Sequence, residues 1–323
     1  MIVDLTLTDD QSMIDDATRA FLRANLPVER LRDPASGGGG AERAAWHAFR
    51  DLGLFGLGVP EALGGLGLGL PEEALVARAL GVHLASPALV SQIAAPHLSE
   101  TEAIRAALIA GTTRAAFANR RDAEAAHLLD AEGCDQVLLL DADGVRLLTR
   151  SAFGPAEPVA SLDETAALAR LAIADIRTVD SSAADRVSLL IAAYLTGLAQ
   201  AATSMAVDYA GVREQFGQPI GAFQAIKHQC ADMATRAAAA DAQVFHAAVA
   251  FGHGLNDRAE VAAASMLAAS AALTNAQANI QIHGGMGFTA ECDAHLFLKR
   301  AHLMAGLGGG LRAKRRRLLH LDS

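Results

Sequence analysis

Three polar side chains around one turn carry the clearest chemical signal in this sequence. Arg213 and Gln215 stand before a Gly-x-Pro turn, and Gln224 follows it. A planar guanidinium beside an amide suits recognition of a phosphate or pyrophosphate. An ordinary helical hairpin with a polar corner would have the same residues. On the residues alone both interpretations stay open.

A second signal is the segment Gln281–Thr289, in which Gly284, Gly285 and Gly287 stand close together. A dinucleotide fingerprint needs a strand before such glycines and a helix after them. Apolar periodicity predicts a helix before them instead, which excludes a Rossmann site and indicates a glycine helix end. Bare backbone at such an end also lets a flat or charged ligand come close.

Other spacings indicate ordinary structure. Gly53–Gly67 is rich in glycine but lacks a phosphate-loop pattern, so it predicts a sharp connection between helices. Two histidine pairs, His246 with His253 and His295 with His302, are seven residues apart on one helix face. The pattern H-E-x-x-H is absent and acidic neighbours are sparse, so we predict surface or packed histidines and no metal site.

Long helices are needed to position the two polar corners. Apolar residues at three- and four-residue spacing predict helices over about 183–211 and 223–252. The chain must turn between them because Pro219 removes a helical hydrogen bond. Further helices are predicted over about 258–282 and 293–307, and a tail helix follows. A bundle can bring the ends of such helices together.

The first third of the chain is also predicted to be helical. Thr8 can cap a helix that runs to about Ala24, and a second helix spans about 41–52. Pro71 opens a third helix, with acidic residues in its first turn. Helical structure is then expected from about Ala88 to Ile109.

After Gly111 the composition shifts to short apolar runs separated by Asp, Gly and Pro. This pattern predicts a small β-rich unit of about five strands, with Asp141–Gly144 as a hairpin turn. The predicted strands are 114–118, 137–140, 144–149, 158–161 and 167–176. The predicted division is an N-terminal helical domain (1–112), a reduced β middle domain (113–178) and a C-terminal helical bundle (179–323).

Composition limits the possible functions. The 323 residues are 52% hydrophobic but only 4% aromatic, which favours closely packed helices. The net charge of −9 argues against a nucleic-acid surface, and the basic cluster Lys314–Arg317 fits a solvated last helical turn. Three widely spaced cysteines predict no disulfide framework. The acidic start and the lack of about 18 consecutive apolar residues predict a cytoplasmic protein without a membrane span.

The segment Arg213–Met233 has the pattern R-x-Q-F-G-x-P-I-x-x-F-Q-x-x-x-H-x-x-A-D-M, which resembles a signature of the acyl-CoA dehydrogenase family. Gln281–Phe288 and Asp51–Gly67 are similar to further segments of that family, and the resemblance covers most of residues 5–320. It implies a mainly α fold with a helical N-terminal domain, a β middle domain and a four-helix bundle. It also implies FAD, an acyl-CoA thioester substrate and an electron-transfer flavoprotein or similar acceptor.

The resemblance further implies seven cofactor contacts. In this family the glycine segment lies against the ADP part of an FAD from a neighbouring subunit, so a homo- or hetero-oligomer is implied. The serine- and threonine-containing segment of the family's middle domain has no counterpart here, and Asn119–Asp122 stands in its place. The implied contacts are Arg213, Gln215, Phe216, Gln224, Gln281, Gly284 and Gly285.

A catalytic base is missing from its usual place. Removal of a proton from the substrate Cα needs a carboxylate within reach. Most family members use a glutamate whose position falls on Gly308 in this chain. Some members place it on the helix before the first signature, where the matching region 185–194 contains Asp185 but no glutamate. A solvent-exposed helix start is the simpler interpretation of Asp185.

Two functional hypotheses follow. In the first, the chain is an active flavin dehydrogenase with an unusual base, such as Asp185 or a group from another subunit. In the second, it is a base-less subunit that completes a heteromeric acyl-CoA dehydrogenase. Short bacterial family members, including some that act on steroid side-chain thioesters, pair a catalytic with a non-catalytic subunit. The short middle domain and the position of Gly308 favour the second hypothesis, and a scaffold without cofactor leaves both signatures unexplained.

Overall fold

In the computed structural model, which describes residues 5–33, 37–173, 176–252 and 257–319, the first third of the chain is helical, as predicted. The helices are α1 (Asp9–Asn25), α2 (Gly40–Ala44), α3 (Trp46–Asp51), α4 (Leu70–Val82), α5 (Pro87–Ala94) and α6 (Glu102–Ile109). Thr8 caps α1: its hydroxyl accepts the N–H of Gln11, whose side-chain oxygen accepts the N–H of Thr8.

Two predicted helices of this region are broken in the structure. The helix expected over 41–52 is interrupted at Ala45, next to Trp46, whose indole N–H donates to a loop carbonyl 3.0 Å away. That bond anchors the chain at the break. The helix expected over 88–109 is interrupted by a 3-10 turn at Pro96, which has no N–H to donate.

A six-stranded mixed sheet follows, one strand more than the sequence predicted. The strands are β1 (Ala115–Arg120), β2 (Ala125–Leu129), β3 (Gln136–Leu140), β4 (Val145–Thr149), β5 (Ala156–Val159) and β6 (Leu168–Ala172). Their order is β4-β3-β1-β2-β6-β5, and the β1–β3 pair is parallel. The missed strand, β2, lacks the β-branched and aromatic residues on which strand prediction depends. The predicted hairpin turn at Asp141–Gly144 is present.

The last part of the chain is the predicted helical bundle with a tail helix. Its helices are α7 (Ser182–Val212), α8 (Gln224–Ala250), α9 (Asp257–His283), α10 (Ala294–Ala305) and α11 (Gly310–Leu319). The first half of α7 is buried on nearly every side, which explains why it is apolar all round. α7 is also long and apolar enough to cross a membrane, although 72% of its most apolar window is buried inside the protein, as in a core helix.

Close backbone contact fixes the N-terminal helices on the bundle. A Cβ on Gly81 of α4 would lie 1.9 Å from the carbonyl oxygen of Tyr194 in α7. A Cβ on Gly197 of α7 would lie 1.9 Å from the carbonyl oxygen of Arg78 in α4. Any side chain at either glycine would force the two helices apart.

A buried arginine joins the bundle to the rest of the chain. The Arg300 guanidinium of α10 pairs with Asp163, which follows β5, at 2.5 Å. It also donates to the carbonyl oxygens of Leu84 and Ala85 and to the Tyr194 hydroxyl. A charge can be buried when it is paired and fully hydrogen-bonded in this way.

Candidate functional site

The first predicted corner is a β-hairpin between α7 and α8. Arg213 ends α7, and its carbonyl oxygen accepts the N–H of Ile220 at 2.7 Å, which closes the hairpin. At the tip, Phe216 and Gly217 have φ values of +54° and +77°, as in a tight two-residue turn. Gln224 begins α8, as predicted. The hairpin strands are β7 (Glu214–Gln215) and β8 (Gln218–Pro219).

The second predicted corner is the glycine end of α9. His283 ends the helix, Gly284 follows with a φ of +60°, and a 3-10 turn continues to Phe288. The helix before the glycines agrees with the exclusion of a Rossmann site. A Cβ on Gly284 or Gly285 would meet no atom within 4 Å, so the backbone is open to a ligand here.

The structure brings the two corners together at one end of the bundle. Tyr209, one turn before Arg213, stacks on His283 with ring centroids 4.1 Å apart and planes 21° from parallel. Beneath this pair, Ile282 packs in an apolar cluster that includes Ala210. Residues far apart in sequence therefore form one surface, although their contact with a cofactor stays a prediction.

All seven predicted cofactor residues are exposed, and Phe216 is 92% exposed. Within the part of the chain that the structure describes, the side chains of Arg213, Gln224 and Gln281 have no hydrogen-bond or ion-pair partner. Gln215 donates only to the carbonyl oxygen of Glu214, at 2.8 Å. A guanidinium, free amides and open backbone suit a diphosphate, so this surface fits the diphosphate end of FAD.

The position predicted for a base lies in a closed loop between α10 and α11. Gly308, Gly309 and Gly310 have φ values of +64°, +82° and +69°. The side chain of Asn119, near the end of β1, binds the loop on both sides. Its Nδ2 donates to the Gly306 carbonyl oxygen at 3.2 Å, and its Oδ1 accepts the Gly308 N–H at 3.1 Å. The loop itself carries no carboxylate.

Asp185 is buried, which corrects the expectation of a solvent-exposed helix start. The residue is 3% exposed. Arg317 of α11 donates to its Oδ1 at 2.7 Å, and Arg258 Nε lies 3.8 Å from its Oδ2. Both arginines also pair with Asp180. With its two carboxylate oxygens facing guanidinium groups and its side chain buried, Asp185 is part of the packed fold and is not presented to a substrate.

The basic cluster Lys314–Arg317 is only partly solvated, which corrects a second expectation. Lys314 Nζ donates to the carbonyl oxygens of Leu307 and Ala305, at 2.8 and 3.3 Å, at and just after the C-terminal end of α10. Burial lowers the pKa of the Lys314 ammonium to about 8. Together with the Arg317 pair described above, this contact fixes α11 on the glycine loop.

The two sites lie at opposite ends of α7. Asp185 is in its first turn and Arg213 follows its last, a separation of roughly 42 Å at 1.5 Å per residue. The glycine loop adjoins the Asp185 end because α11 follows it directly and carries Arg317. The contact of Asn119 with the loop was not predicted from the sequence, although the change from four apolar residues to the polar pair Asn119–Arg120 at the end of β1 was a signal for it.

The three histidines of these pairs that the structure describes share no hydrogen-bond or ion-pair partner with one another. His246 Nδ1 lies 3.2 Å from Glu260, and His295 Nδ1 lies 2.7 Å from the Cys292 carbonyl oxygen. His302 is exposed, and His253 lies outside the described residues. No group of three or more metal-ligating side chains occurs among the residues that the structure describes.

Two family models match the chain. The acyl-CoA dehydrogenase N-terminal domain matches residues 8–110, and the acyl-CoA dehydrogenase C-terminal domain matches residues 179–318. Acyl-CoA dehydrogenase IpdE2 of Mycobacterium tuberculosis is 33% identical over 332 residues, covering 97% of this chain and 98% of that protein. Acyl-CoA dehydrogenase FadE34 of the same organism is 34% identical over 94% of this chain, which spans about half of FadE34, 47% of its length.

Solved structures show the same fold. The ChsE4-ChsE5 complex from Mycobacterium tuberculosis matches with a TM-score of 0.83 at 20% identity over 98% of both chains. Butyryl-CoA dehydrogenase from Megasphaera elsdenii matches with a TM-score of 0.80 at 20% identity, again over 98% of both chains.

Proposed function

The chain belongs to the acyl-CoA dehydrogenase family, and on that premise we propose that it is the non-catalytic subunit of a heteromeric, FAD-dependent acyl-CoA dehydrogenase. Its partner is a second family member that supplies the base and binds the acyl-CoA thioester. This chain supplies the surface formed by the Arg213 hairpin and the Gly284 helix end. The electron acceptor is an electron-transfer flavoprotein or a similar protein.

One observation carries the proposal: neither position at which the family resemblance expects a base offers a usable carboxylate. Gly308 has no side chain, and Asp185 is buried against Arg317 and Arg258. Abstraction of the substrate α-proton needs a carboxylate that can approach the substrate and accept a proton. The active-enzyme hypothesis with Asp185 as base is therefore disfavoured.

The exposed corners are assigned a binding role. Arg213 donates charge-assisted hydrogen bonds to the diphosphate, while Gln224 and Gln281 donate through their amides. Gly284 and Gly285 let the ligand approach the backbone. When bound, FAD accepts the hydride that leaves the substrate Cβ. The roughly 42 Å between this surface and the Asp185 end of α7 favours a flavin held in a neighbouring subunit.

The relatives support a paired arrangement. One similar structure is described as a complex of two chains, ChsE4 and ChsE5. FadE34 is about twice as long as this chain, which leaves room for a second unit of similar size. Another similar structure is described as a steroid acyl-CoA dehydrogenase variant. We propose an acyl-CoA thioester from lipid or steroid degradation as the substrate class.

The visible spectrum of the purified protein tests the proposal. The chain should be produced alone and together with a family member encoded beside it. We expect a colourless or unstable protein alone, and a yellow complex that acyl-CoA bleaches when the partner is present. A yellow protein that is bleached by acyl-CoA without any partner would overturn the proposal and restore the active-enzyme hypothesis.

A further inference from the structure

Two cavities meet along α7 and form one groove between this helix and the N-terminal part of the chain. Their volumes are about 520 and 480 Å³, and Gln200 and Ser204 line both of them. The groove reaches Asp208, directly before Tyr209 and close to the C-terminal end of α7. We propose that the groove is a docking site for the partner subunit, which inserts a segment that carries apolar side chains and a lysine or arginine.

The part of the groove near Asp208 is lined by apolar side chains from four parts of the chain. Val28 follows α1, Val82 ends α4, Met205 lies in α7 and Phe297 lies in α10. Three of them, all except Phe297, are only half-buried, so they present apolar surface to the molecule that fills the groove. A concave apolar surface with a few polar groups is typical of a site that buries side chains of a ligand or a partner.

The two arginines that line the groove are already neutralised. Arg19 pairs with Asp15 at 2.7 Å, and Arg78 pairs with Asp15 and Asp241 at 3.3 and 3.0 Å. Arg78 is buried, and its guanidinium lies over the ring of Phe245. Both arginines are therefore part of the fold, and neither is free to attract an anionic ligand.

Two carboxylates that line the groove are not neutralised. Glu29 and Asp208 are exposed, and neither makes a hydrogen bond or an ion pair with any residue that the structure describes. Arg32, whose guanidinium is paired elsewhere, acts on Glu29 only at longer range. Gln200 and Ser204 also have side chains without a hydrogen-bond partner in the described part of the chain. A cationic side chain flanked by apolar ones complements this surface in charge and in polarity.

The position of the groove favours the partner subunit as its occupant. Asp208 lies five residues before Arg213, roughly 8 Å along the helix axis at 1.5 Å per residue. A subunit that covers the proposed FAD surface therefore lies beside this end of the groove. A second copy of this chain is disfavoured because each copy has a net charge of −9. The identity of the occupant rests on the proposed function, since the partner is the catalytic family member proposed there.

A photo-reactive residue in the groove tests what occupies it. In the assembled complex p-benzoylphenylalanine replaces Ser204, which is exposed and lines both cavities. After irradiation, mass spectrometry should identify one crosslinked segment of the partner, with a lysine or arginine next to the crosslinked residue or one helical turn away. Met13 is 64% exposed and lines neither cavity, so the same replacement there is the control and should not capture that segment.

Charge reversal tests the complementarity. A variant that combines Glu29→Lys with Asp208→Lys should assemble with the partner at least about 10-fold more weakly, because its lysines repel the inserted cation. Asp16→Lys changes an exposed carboxylate of α1 that lines neither cavity, and its assembly should stay within about twofold of wild type. Sedimentation measures assembly. Higher ionic strength should weaken assembly of wild type and strengthen that of the combined variant.

Each result decides the proposal. A crosslink from Ser204 to a second copy, to a segment of the partner without a cation, or to no protein would overturn it. So would normal assembly of the combined variant. If the wild-type chain forms no complex with a family member, the proposed function fails. If the wild-type complex forms and acyl-CoA bleaches its flavin while the combined variant assembles normally, the docking site alone fails.

Discussion

The polar groups at the two ends of α7 differ in their exposure and in their bonding partners. At its C-terminal end Arg213, Gln224 and Gln281 face outward, and within the described residues their side chains have no partner. At its N-terminal end Asp185 is bound by arginines, and the nearby glycine loop is held by hydrogen bonds from its own chain. The first arrangement suits a surface that another molecule completes. The second suits a site that has become part of the fold.

The N-terminal end of α7 should lose more stability than the C-terminal end when a polar side chain is replaced by alanine. Asp185→Ala is expected to lower the free energy of unfolding by about 2–3 kcal/mol, because both arginines lose a buried partner. The full cost of breaking a buried pair is reduced since the two guanidinium groups are partly exposed. Denaturant titration measures this change. Turnover of the assembled complex should be unaffected.

Asp143→Ala is the matched control, because this aspartate is exposed and pairs with Arg316 only at 3.6 Å. We expect it to change the free energy of unfolding by less than about 0.5 kcal/mol. If Asp185→Ala abolished turnover of the complex without lowering its stability, Asp185 would be a base. The N-terminal end of α7 would then be a catalytic site and not a structural one.

At the C-terminal end of α7, substitutions are expected to change the affinity for FAD. Arg213→Ala should weaken FAD binding by the assembled complex about 10- to 50-fold, as expected when charge-assisted hydrogen bonds to a phosphate are lost. Its free energy of unfolding should stay within about 0.5 kcal/mol of wild type. Fluorescence titration of the apo-complex with FAD measures the affinity. Lys227→Ala removes a nearby exposed cation as a control, and equal weakening in both variants would count against a specific role for Arg213.

The pH dependence of stability tests whether Lys314, which binds the glycine loop near the N-terminal end of α7, is buried. Its pKa is about 8 in the folded chain and near 10.5 ordinarily. Between these values the unfolded chain binds more protons, so the stability of wild type rises with pH across this window. Relative to Lys314→Met, wild type should gain about 1 kcal/mol between pH 8 and pH 9. A constant difference across that range would show that the ammonium is not buried.

The smallest effect is expected at the hairpin tip. Phe216 has a left-handed φ that glycine adopts without strain, so Phe216→Gly should raise the free energy of unfolding by about 0.5 kcal/mol. The same change removes an exposed ring that is a predicted cofactor contact, so the assembled complex should bind FAD more weakly. Denaturant titration of the single chain and fluorescence titration of the apo-complex measure the two quantities. An FAD affinity at or above the wild-type value would argue against a cofactor contact at Phe216.

The sequence predicted the parts of the fold that depend on short-range pattern. The bounds expected for α7, 183–211, differ by one residue at each end from those observed. Apolar spacing over so many turns leaves little freedom in register. β2 was not predicted because its residues are poor strand formers. It forms a strand because it pairs with β1 in the folded sheet.

The candidate site was predicted only in part. The positions of Arg213 and Gln224 at helix ends followed from Pro219 and the helical periodicity, while Gly308 was singled out by family resemblance alone. The burial of Asp185 could not be predicted because its partner, Arg317, lies 132 residues away in the sequence. Contacts of this kind depend on how α11 folds back on α7, and no local pattern encodes that.

The run of left-handed glycines from Gly308 to Gly310 disfavours a carboxylate at the position where the family resemblance expects a base. Space is not the obstacle, since a Cβ on Gly308 would lie 3.6 Å from its nearest neighbour, the carbonyl oxygen of Asp141. The obstacle is the backbone, where an L-residue costs roughly 1–2 kcal/mol. A substitution that placed glutamate at this position would carry that cost in stability before it brought any benefit. Under the proposed function, the main-chain geometry of this loop would keep the chain dependent on its partner even after such a substitution.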